Sequence, residues 1–134
     1  MTADLPEGLT QRPLSLADVT AVFEAMAEQE RHDIGRAEIE EADLVGEWQR
    51  PSFDVGASTV GVFDPAAGDL LVGYAEVTSH DRGDAVVRPA YRGRGIGTWL
   101  ARWTQDEARR QKGSRVGMPV PVRVSAIRVA WTAR

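Results

Sequence analysis

The sequence predicts a single α/β (α+β) domain. The chain has 134 residues, which suits one domain built around one core. Apolar residues follow helical spacing before residue 51, form β-branched and apolar runs between residues 59 and 87, and return to helical spacing from residue 96. The resulting order is strand, two helices, three strands, helix and strand, which is typical of this fold class.

The first strand and the first helix are delimited by turn and capping residues. We expect a short strand over residues 8–12, which Pro13 ends. Ser15 is then a candidate N-cap, and Asp18 three residues later completes a carboxylate variant of the capping box. The helix that follows should fray near residues 32–35. Its apolar stripe consists of Val19, Val22, Phe23, Met26 and Ala27.

The second helix and a hairpin come next. Residues 37–50 fit a helix with Leu44 and Trp48 on one side, and Pro51 stops it. Two strand-like runs, residues 59–63 and 70–78, are separated by turn residues and therefore predict a hairpin.

A third helix is predicted near the carboxyl end of the chain. Residues 79–84 are expected to form a polar turn, and residues 85–87 a short strand. The helix begins at Ile96, with Asp106 placed to pair with Arg110 and Gly113 as the C-cap. Its apolar face carries Trp99, Leu100 and Trp103, the two tryptophans being core residues rather than a cofactor platform.

Composition and charge restrict the possible partners. No cysteine is present, which excludes a disulfide, a thiolate nucleophile and a cysteine metal site. No run of about 20 apolar residues or amino-terminal signal pattern occurs, so we expect a cytoplasmic protein without a membrane partner. Residues 1–87 hold 18 acidic and 5 basic side chains, whereas residues 88–134 hold 2 acidic and 11 basic ones. The basic part indicates either an anionic partner, such as a nucleotide phosphate, or a solvated arginine-rich surface.

The stretch from Val87 to Thr98 carries the clearest chemical signal. A strand runs into a turn with glycines at 93, 95 and 97, and that turn opens the third helix. A helix N-terminus presents backbone N–H groups without intrahelical partners and about half a positive charge. Glycines let that backbone approach a phosphate, and Arg92 and Arg94 add guanidinium donors. The predicted diphosphate site comprises Arg92, Gly93, Arg94, Gly95, Ile96, Gly97 and Thr98.

The spacing of the motif distinguishes between phosphate-binding families. The third glycine comes one residue too early for a dinucleotide-binding fingerprint, and the lysine of a P-loop is absent. The block does match V-x-P-x-[aromatic]-R-G-x-G-[I/L]-G, so the chain, from about residue 9 to residue 111, resembles the GNAT N-acetyltransferase superfamily. Residues 48–54 also look like the second-helix exit of actinobacterial GNAT proteins, including the amino-terminal halves of tandem ones.

The resemblance implies a GNAT acyl-CoA N-acyltransferase fold, in which a mixed, mostly antiparallel sheet is flanked by helices. It also implies acetyl-CoA as co-substrate. Val86 and Val87 would lie in the strand that pairs with the pantetheine arm, and a backbone N–H near Val87 would stabilise the oxyanion. A primary amine would attack the thioester directly while both substrates are bound. Nothing in the sequence points to a metal.

The carboxyl-terminal residues depart from the family pattern. Family members continue with a strand, a helix and further strands, and often with a tyrosine that protonates the leaving thiolate. Residues 114–134 contain no tyrosine, and a strand over residues 115–118 is followed by Pro119. We therefore expect one GNAT domain over residues 1–134, truncated after about residue 118, with incomplete C-terminal strands and a sheet edge open to homodimerisation.

Two other functions remain open at this stage. A catalytically inactive acyl-CoA-binding half-domain would also carry the motif and would explain the unusual tail. A nucleic-acid binder would explain the basic residues, but no DNA-binding motif supports it, so no nucleic-acid partner is expected.

The catalytic residues stay unassigned. Glu76 is the only carboxylate within an apolar strand run; it is either a general base that acts through water or a solvent-facing position, and the pattern favours the latter. Asp84 fits a turn as well as a site. His32 and His80 lack metal-ligand spacing and are expected on the surface.

Overall fold

The computed structural model describes residues 5–79, 82–113 and 123–124. Its sheet has the order β1-β2-β3-β4-β5; the first four strands are antiparallel, and β5 runs parallel to β4. This arrangement confirms the predicted mixed, mostly antiparallel sheet. The strands are β1 (Thr10–Arg12), β2 (Thr59–Asp64), β3 (Leu70–Ser79), β4 (Arg82–Val87) and β5 (Arg123–Val124), and the helices are α1 (Val19–Ile34), α2 (Glu41–Trp48), α3 (Val55–Ser58) and α4 (Ile96–Gly113).

Helices cover both faces of the sheet, and side chains alternate between the two cores along β2, β3 and β4. On one face, α1 and α2 pack against Phe63, Tyr74 and Val86. On the other face, Ile96 and Leu100 of α4 pack against a second set of strand residues. That set consists of Val60, Val62, Val72, Ala75, Ala85 and Val87.

The limits of α1 agree with the sequence signals. Ser15 and Asp18 form the predicted capping box, and a 3₁₀ turn over Leu16–Asp18 precedes the helix. Gly35, with φ of 87°, adopts the left-handed conformation that ends the helix. Its N–H donates to Arg31 O at 3.0 Å.

The predicted start of the second helix was wrong, because α2 begins only at Glu41. The carboxylate of Glu30 accepts hydrogen bonds from the backbone N–H groups of Glu38 and Ile39, at 2.6 and 2.9 Å. These bonds satisfy the segment in a non-helical conformation.

The prediction of a polar turn over residues 79–84 was also wrong, because β4 begins at Arg82. Arg82 pairs with Ser79, and Gly83 pairs with Val77, after an irregularity in the register between Val77 and Ser79. Asp84 therefore lies in a strand, directly opposite Glu76.

The helix α4 lies very close to the middle of the sheet. A Cβ added to Gly73 would lie 2.9 Å from Ile96 Cγ2 and 3.3 Å from Leu100 Cδ1, so the absence of a side chain permits the contact. The buried Trp99 and the half-buried Trp103 both contribute to this core, as predicted.

On the exposed side of α4 the predicted Asp106–Arg110 pair does not form. Arg109 pairs with Asp106 at 2.9 Å, and Arg110 pairs with Glu107. The pairs use i,i+3 rather than i,i+4 spacing, which helix geometry also permits. The helix includes Gly113, where a C-cap was expected.

Two predictions fall outside the described residues: the strand over residues 115–118 and the surface position of His80. His32 is exposed, as predicted. Dimerisation through a sheet edge stays a prediction.

Candidate active site

The glycine turn joins β4 to α4 through a 3₁₀ turn over Pro89–Tyr91. Gly93 and Gly95 have φ of 80° and 95°, a region that favours glycine. The N–H of Trp99 donates to Gly95 O at 3.1 Å and closes the first turn of α4. The N–H groups at 96, 97 and 98 precede it in that turn, so they have no intrahelical acceptor. The turn therefore has the geometry of an anion-binding helix start.

The space beside this turn is open. Among the described residues, a Cβ added to Gly93 would meet nothing within 4 Å, and one added to Gly95 would meet only Pro6 Cγ at 3.9 Å. Gly93, Arg94, Gly95 and Thr98 are exposed, whereas Ile96 and Gly97 are buried. An anion can thus reach the first part of the turn from solvent, while Ile96 anchors the helix in the core.

The backbone of β4 offers N–H groups at its edge opposite β3. The N–H of Arg88 donates to Val72 O at 2.9 Å, and the register pairs Val87 with Gly73. Because successive residues of an antiparallel strand face alternate edges, Val86 directs its N–H towards β3. Val87 directs its N–H to the opposite edge. Val87, rather than Val86, is therefore the backbone donor at that edge.

Pairing on that edge is short in the described part of the chain. There β5 pairs only with Arg82 and Gly83 of β4, before Val87 is reached. The side chain of Val86 packs with Tyr74 in the core beneath α1.

Side-chain contacts of three residues hold the segment from Arg88 to Arg92. Arg88 donates to Leu71 O at 2.6 Å and to the Glu28 carboxylate at 2.5 Å. The hydroxyl of Tyr91 donates to the Asp64 carboxylate at 2.6 Å. Arg92 forms two hydrogen bonds with Asp33, at 2.9 and 2.8 Å.

The two predicted phosphate-binding arginines differ in their surroundings. The Arg92 side chain is only 15% exposed and is paired with Asp33. The Arg94 guanidinium lies over the Tyr91 ring, 4.8 Å from its centroid, and its residue is exposed. Only Arg94 therefore presents its side chain to the solvent beside the turn.

A buried polar cluster lies on the α1 and α2 side of the sheet, where a solvent-facing Glu76 was expected. Glu76 is 6% exposed, and its carboxylate accepts a hydrogen bond from the hydroxyl of the fully buried Tyr74. The ring of Trp48 lies 6.0 Å from that of Tyr74, centroid to centroid. The preference for a solvent-facing position was wrong, because α2 covers this part of β3.

Burial raises the pKa of Glu76, and Glu47 adds to the rise. The hydrogen bond from Tyr74, the Trp48 side chain and Arg50 oppose it. A carboxylate with a raised pKa is better suited to accept a proton near neutral pH than an ordinary surface carboxylate. Burial likewise raises the pKa of Tyr74, with Glu76 contributing, so Tyr74 remains a proton donor.

Sequence reasoning missed Tyr74 and Trp48 in this cluster, and Glu28 and Asp33 at the turn. The period of two along β3 places Tyr74 and Glu76 on the same face, a signal that would have found the pair. No local pattern marks the contacts from α1, because they join residues about 60 positions apart.

Residues 5–79, 82–113 and 123–124 lack two features, a group of metal ligands and a membrane-spanning helix. No group of three histidine, cysteine or carboxylate side chains there is placed to hold a metal ion. No helix in the same residues is long and apolar enough to span a bilayer.

Comparison with solved structures identifies similar folds. A GCN5-related N-acetyltransferase from Sphaerobacter thermophilus matches with a TM-score of 0.72 and 24% identity over 82% of this chain. YncA from Salmonella typhimurium, solved with its cofactor acetyl-CoA, matches with a TM-score of 0.59 and 19% identity over 78% of this chain. A phosphinothricin acetyltransferase from Sinorhizobium meliloti, in complex with acetyl-CoA, matches with a TM-score of 0.58 and 18% identity over 75% of this chain.

The chain spans 35%, 65% and 60% of the lengths of these three proteins, respectively. A search of curated protein sequences gave no match. The sequence model of the Acetyltransferase (GNAT) family, however, matches residues 20–129, which is most of the chain. Together with the sheet, the glycine turn and the helix that follows it, this match shows that the chain belongs to the GNAT acetyltransferase family.

Proposed function

We propose that the protein is an N-acetyltransferase that uses acetyl-CoA to acetylate a primary amine by direct attack in a ternary complex. One observation carries the proposal. The strand β4, whose Val87 N–H faces away from β3, leads directly into the open, glycine-flanked start of α4. Acetyl-CoA carries a diphosphate and a thioester, and these two features fit those two groups. The presence of acetyl-CoA in the Salmonella and Sinorhizobium structures supports the choice of ligand.

The diphosphate would be bound by the glycine turn. The backbone N–H groups from Gly93 to Thr98 supply donors without side-chain obstruction at Gly93 and Gly95. The exposed guanidinium of Arg94 adds a charge-assisted hydrogen bond to a phosphate oxygen.

The thioester would lie along the edge of β4 opposite β3, beyond the residues that pair with β5. The Val87 N–H would donate to the carbonyl oxygen, whose negative charge grows as the amine nitrogen bonds to the carbonyl carbon. The tetrahedral intermediate then collapses with cleavage of the C–S bond, and CoA leaves as the thiolate. Holding both reactants in this geometry supplies much of the acceleration.

We propose Glu76 as the group that accepts a proton from the amine, through a water molecule. An ammonium substrate must lose one proton before attack and a second one afterwards. The first passes to Glu76, whose pKa burial raises, and the second neutralises the departing thiolate.

Calorimetry with acetyl-CoA tests the binding step. We expect the wild-type protein to bind and Gly95→Glu to weaken binding at least about tenfold, equivalent to about 1.4 kcal/mol. The substitution strains a residue with φ of 95° and brings a negative charge to the phosphates. Gly68→Glu, at another left-handed glycine with φ of 73°, is the matched control and should bind normally. A wild-type protein that does not bind acetyl-CoA would refute the proposal.

A thiol-release assay over a panel of primary amines tests the transfer step. Turnover with at least one amine, lost in Glu76→Gln while acetyl-CoA binding is retained, supports the assignment. Silence across the panel with intact binding would instead favour an inactive acyl-CoA-binding module. A DNA mobility shift that falls steeply with salt, in a protein that ignores acetyl-CoA, would favour the nucleic-acid alternative.

A further inference from the structure

The pair between Asp33 and Arg92 connects the last turn of α1 to the glycine turn, and it assigns a role to a residue outside the motif. We infer that Asp33 is a positioning residue: it fixes Arg92, and through Arg92 it holds the glycine turn in its anion-binding shape. In this arrangement the diphosphate is bound by backbone N–H groups and Arg94, and not by the Arg92 guanidinium. The inference rests on the proposed function and deepens it.

The geometry of the pair is that of a fixed connection. Two guanidinium nitrogens of Arg92 face the two carboxylate oxygens of Asp33, at 2.9 and 2.8 Å. Such a forked contact fixes orientation as well as distance. The Arg92 side chain is 15% exposed and that of Asp33 is 34% exposed, so water competes only partly for the contact.

The position of Asp33 in α1 adds a second reason. A carboxylate in the last turn of a helix meets the negative end of the helix dipole, which is unfavourable. Gly35 ends α1 two residues later, so Asp33 lies in that last turn. The Arg92 guanidinium lowers the pKa of Asp33 below its ordinary value, and His32 contributes in the same direction. The Arg92 guanidinium therefore offsets the unfavourable interaction of the Asp33 carboxylate with the helix dipole.

The neighbouring contacts serve the same purpose. Arg88 is connected to Glu28 of α1, and Tyr91 is connected to Asp64 at the end of β2. The segment before Gly93 is thus held by α1 twice, by β2 once and, through the bond from Arg88 to Leu71 O, by β3 once. Arg94 differs, because among the described residues no carboxylate forms an ion pair with it.

The first test uses the protein without ligand. Hydrogen exchange at the hydrogen-bonded amides on either side of the turn, those of Tyr91 and Trp99, should accelerate several-fold in Asp33→Asn. It should accelerate equally in Arg92→Lys, which keeps the charge but loses the fork. The double variant should be no faster than either single one, as expected for two residues that act through one contact. Independent, additive effects on exchange would overturn the inference, whatever the protein does with acetyl-CoA.

The second test measures acetyl-CoA binding by calorimetry. We expect Asp33→Asn and Arg92→Lys each to weaken binding about three- to tenfold, again without additivity. Asp18→Asn is the matched control, because it breaks a similar two-bond contact with Arg12 far from the turn, and it should lower thermal stability without changing affinity. Tighter binding in Asp33→Asn would show that Arg92 is a phosphate ligand that Asp33 masks, and would overturn the inference.

Failure of the positioning role can be distinguished from failure of the proposed function. A wild-type protein that does not bind acetyl-CoA refutes the function, and the exchange experiment still decides whether Asp33 orders the turn. A wild-type protein that binds, with an unchanged Asp33→Asn, refutes only the positioning role.

Discussion

At the scale of single residues, Glu76 is the position where burial and charge conflict most. It is 94% buried, and it faces Asp84 directly across the β3–β4 pair. Burying a carboxylate disfavours its ionised form, and like charges opposite one another in a sheet are also unfavourable. A buried position with such a cost is typical of a functional site, where stability is exchanged for reactivity.

This conflict predicts a pH-dependent effect of Glu76→Gln. The pKa of Glu76 in the folded protein lies above its ordinary value of 4.5, so the folded protein keeps this proton over a pH range in which the unfolded chain has lost it. The stability that the group contributes is therefore highest below pH 4.5 and is lost as the pH rises through the folded-state pKa. We expect Glu76→Gln to gain thermal stability relative to the wild type as the pH rises from 4 to 8.

The control for this experiment is Glu24→Gln, at an exposed position of α1. Its melting temperature should follow that of the wild type across the same range. If Glu76→Gln also followed the wild type, or lost stability with rising pH, the raised pKa would be wrong.

Sequence patterns predicted the turn residues better than their partners. The positive φ of Gly93 and Gly95 follows from local spacing, because glycine at alternate positions has a direct conformational meaning. The pairing of Arg92 with Asp33 does not, because it depends on how the end of α1 meets the turn. Arg92 was therefore expected at a phosphate, and the structure places its side chain on a carboxylate.

At the scale of elements, the contact between α4 and the sheet depends on Gly73. The side-chain position of Gly73 faces Ile96 and Leu100, so the helix rests directly on the backbone of β3. Because Ile96 is the first residue of α4, this contact also determines where the helix begins relative to β4.

Gly73→Ala should therefore disturb both stability and binding. The new methyl group would lie 2.9 Å from Ile96 Cγ2, and overpacking of this kind typically costs about 1–3 kcal/mol. We expect a lower melting temperature and weaker acetyl-CoA binding, because the helix start moves away from β4. Thermal unfolding and calorimetry measure the two effects.

The matched control is Gly46→Ala in the middle of α2, where a Cβ would meet nothing within 4 Å. There alanine should stabilise the helix by about 0.5–1 kcal/mol. Equal effects at positions 46 and 73 would contradict the packing argument.

Element limits were predicted where the signal is local and missed where it is tertiary. The capping box at Ser15 and the stop at Gly35 are local, and both were found. The start of α2 depends on Glu30, which caps residues from another element, and the start of β4 depends on pairing with β3. Neither contact has a signature in the segment that it organises.

At the scale of the whole molecule, the uneven charge of the chain becomes an internal attraction. The acidic first part and the basic last part meet where Glu28 pairs with Arg88 and Asp33 pairs with Arg92. The sheet holds the two parts together, since β2 and β3 come from the first and β4 leads into the second. Its outer strand β1 is different: its three residues are all exposed.

This arrangement predicts a gradient of local stability. Backbone amides of β3 and β4 should exchange hydrogen most slowly, because both strands lie between two cores. The amides of β1 should exchange fastest among the strands β1–β4, since in the described part of the chain β1 is an edge strand that pairs with β2 alone. Native-state hydrogen exchange measured by NMR checks the order. Slower exchange in β1 than in β3 would indicate that another surface covers that edge.

The register between β3 and β4 slips between Val77 and Ser79 of β3, and this slip has a consequence for how the β3–β4 hairpin can evolve. Pairing is uninterrupted from Gly73–Val87 to Val77–Gly83, and the slip lies beyond it, towards the tip. An insertion or deletion at the tip can therefore change the pairing at the slip alone. The N–H groups further along β4 would still face β3 and the opposite edge in the same alternation. Related chains are then free to vary in loop length while the donor at Val87 keeps its direction.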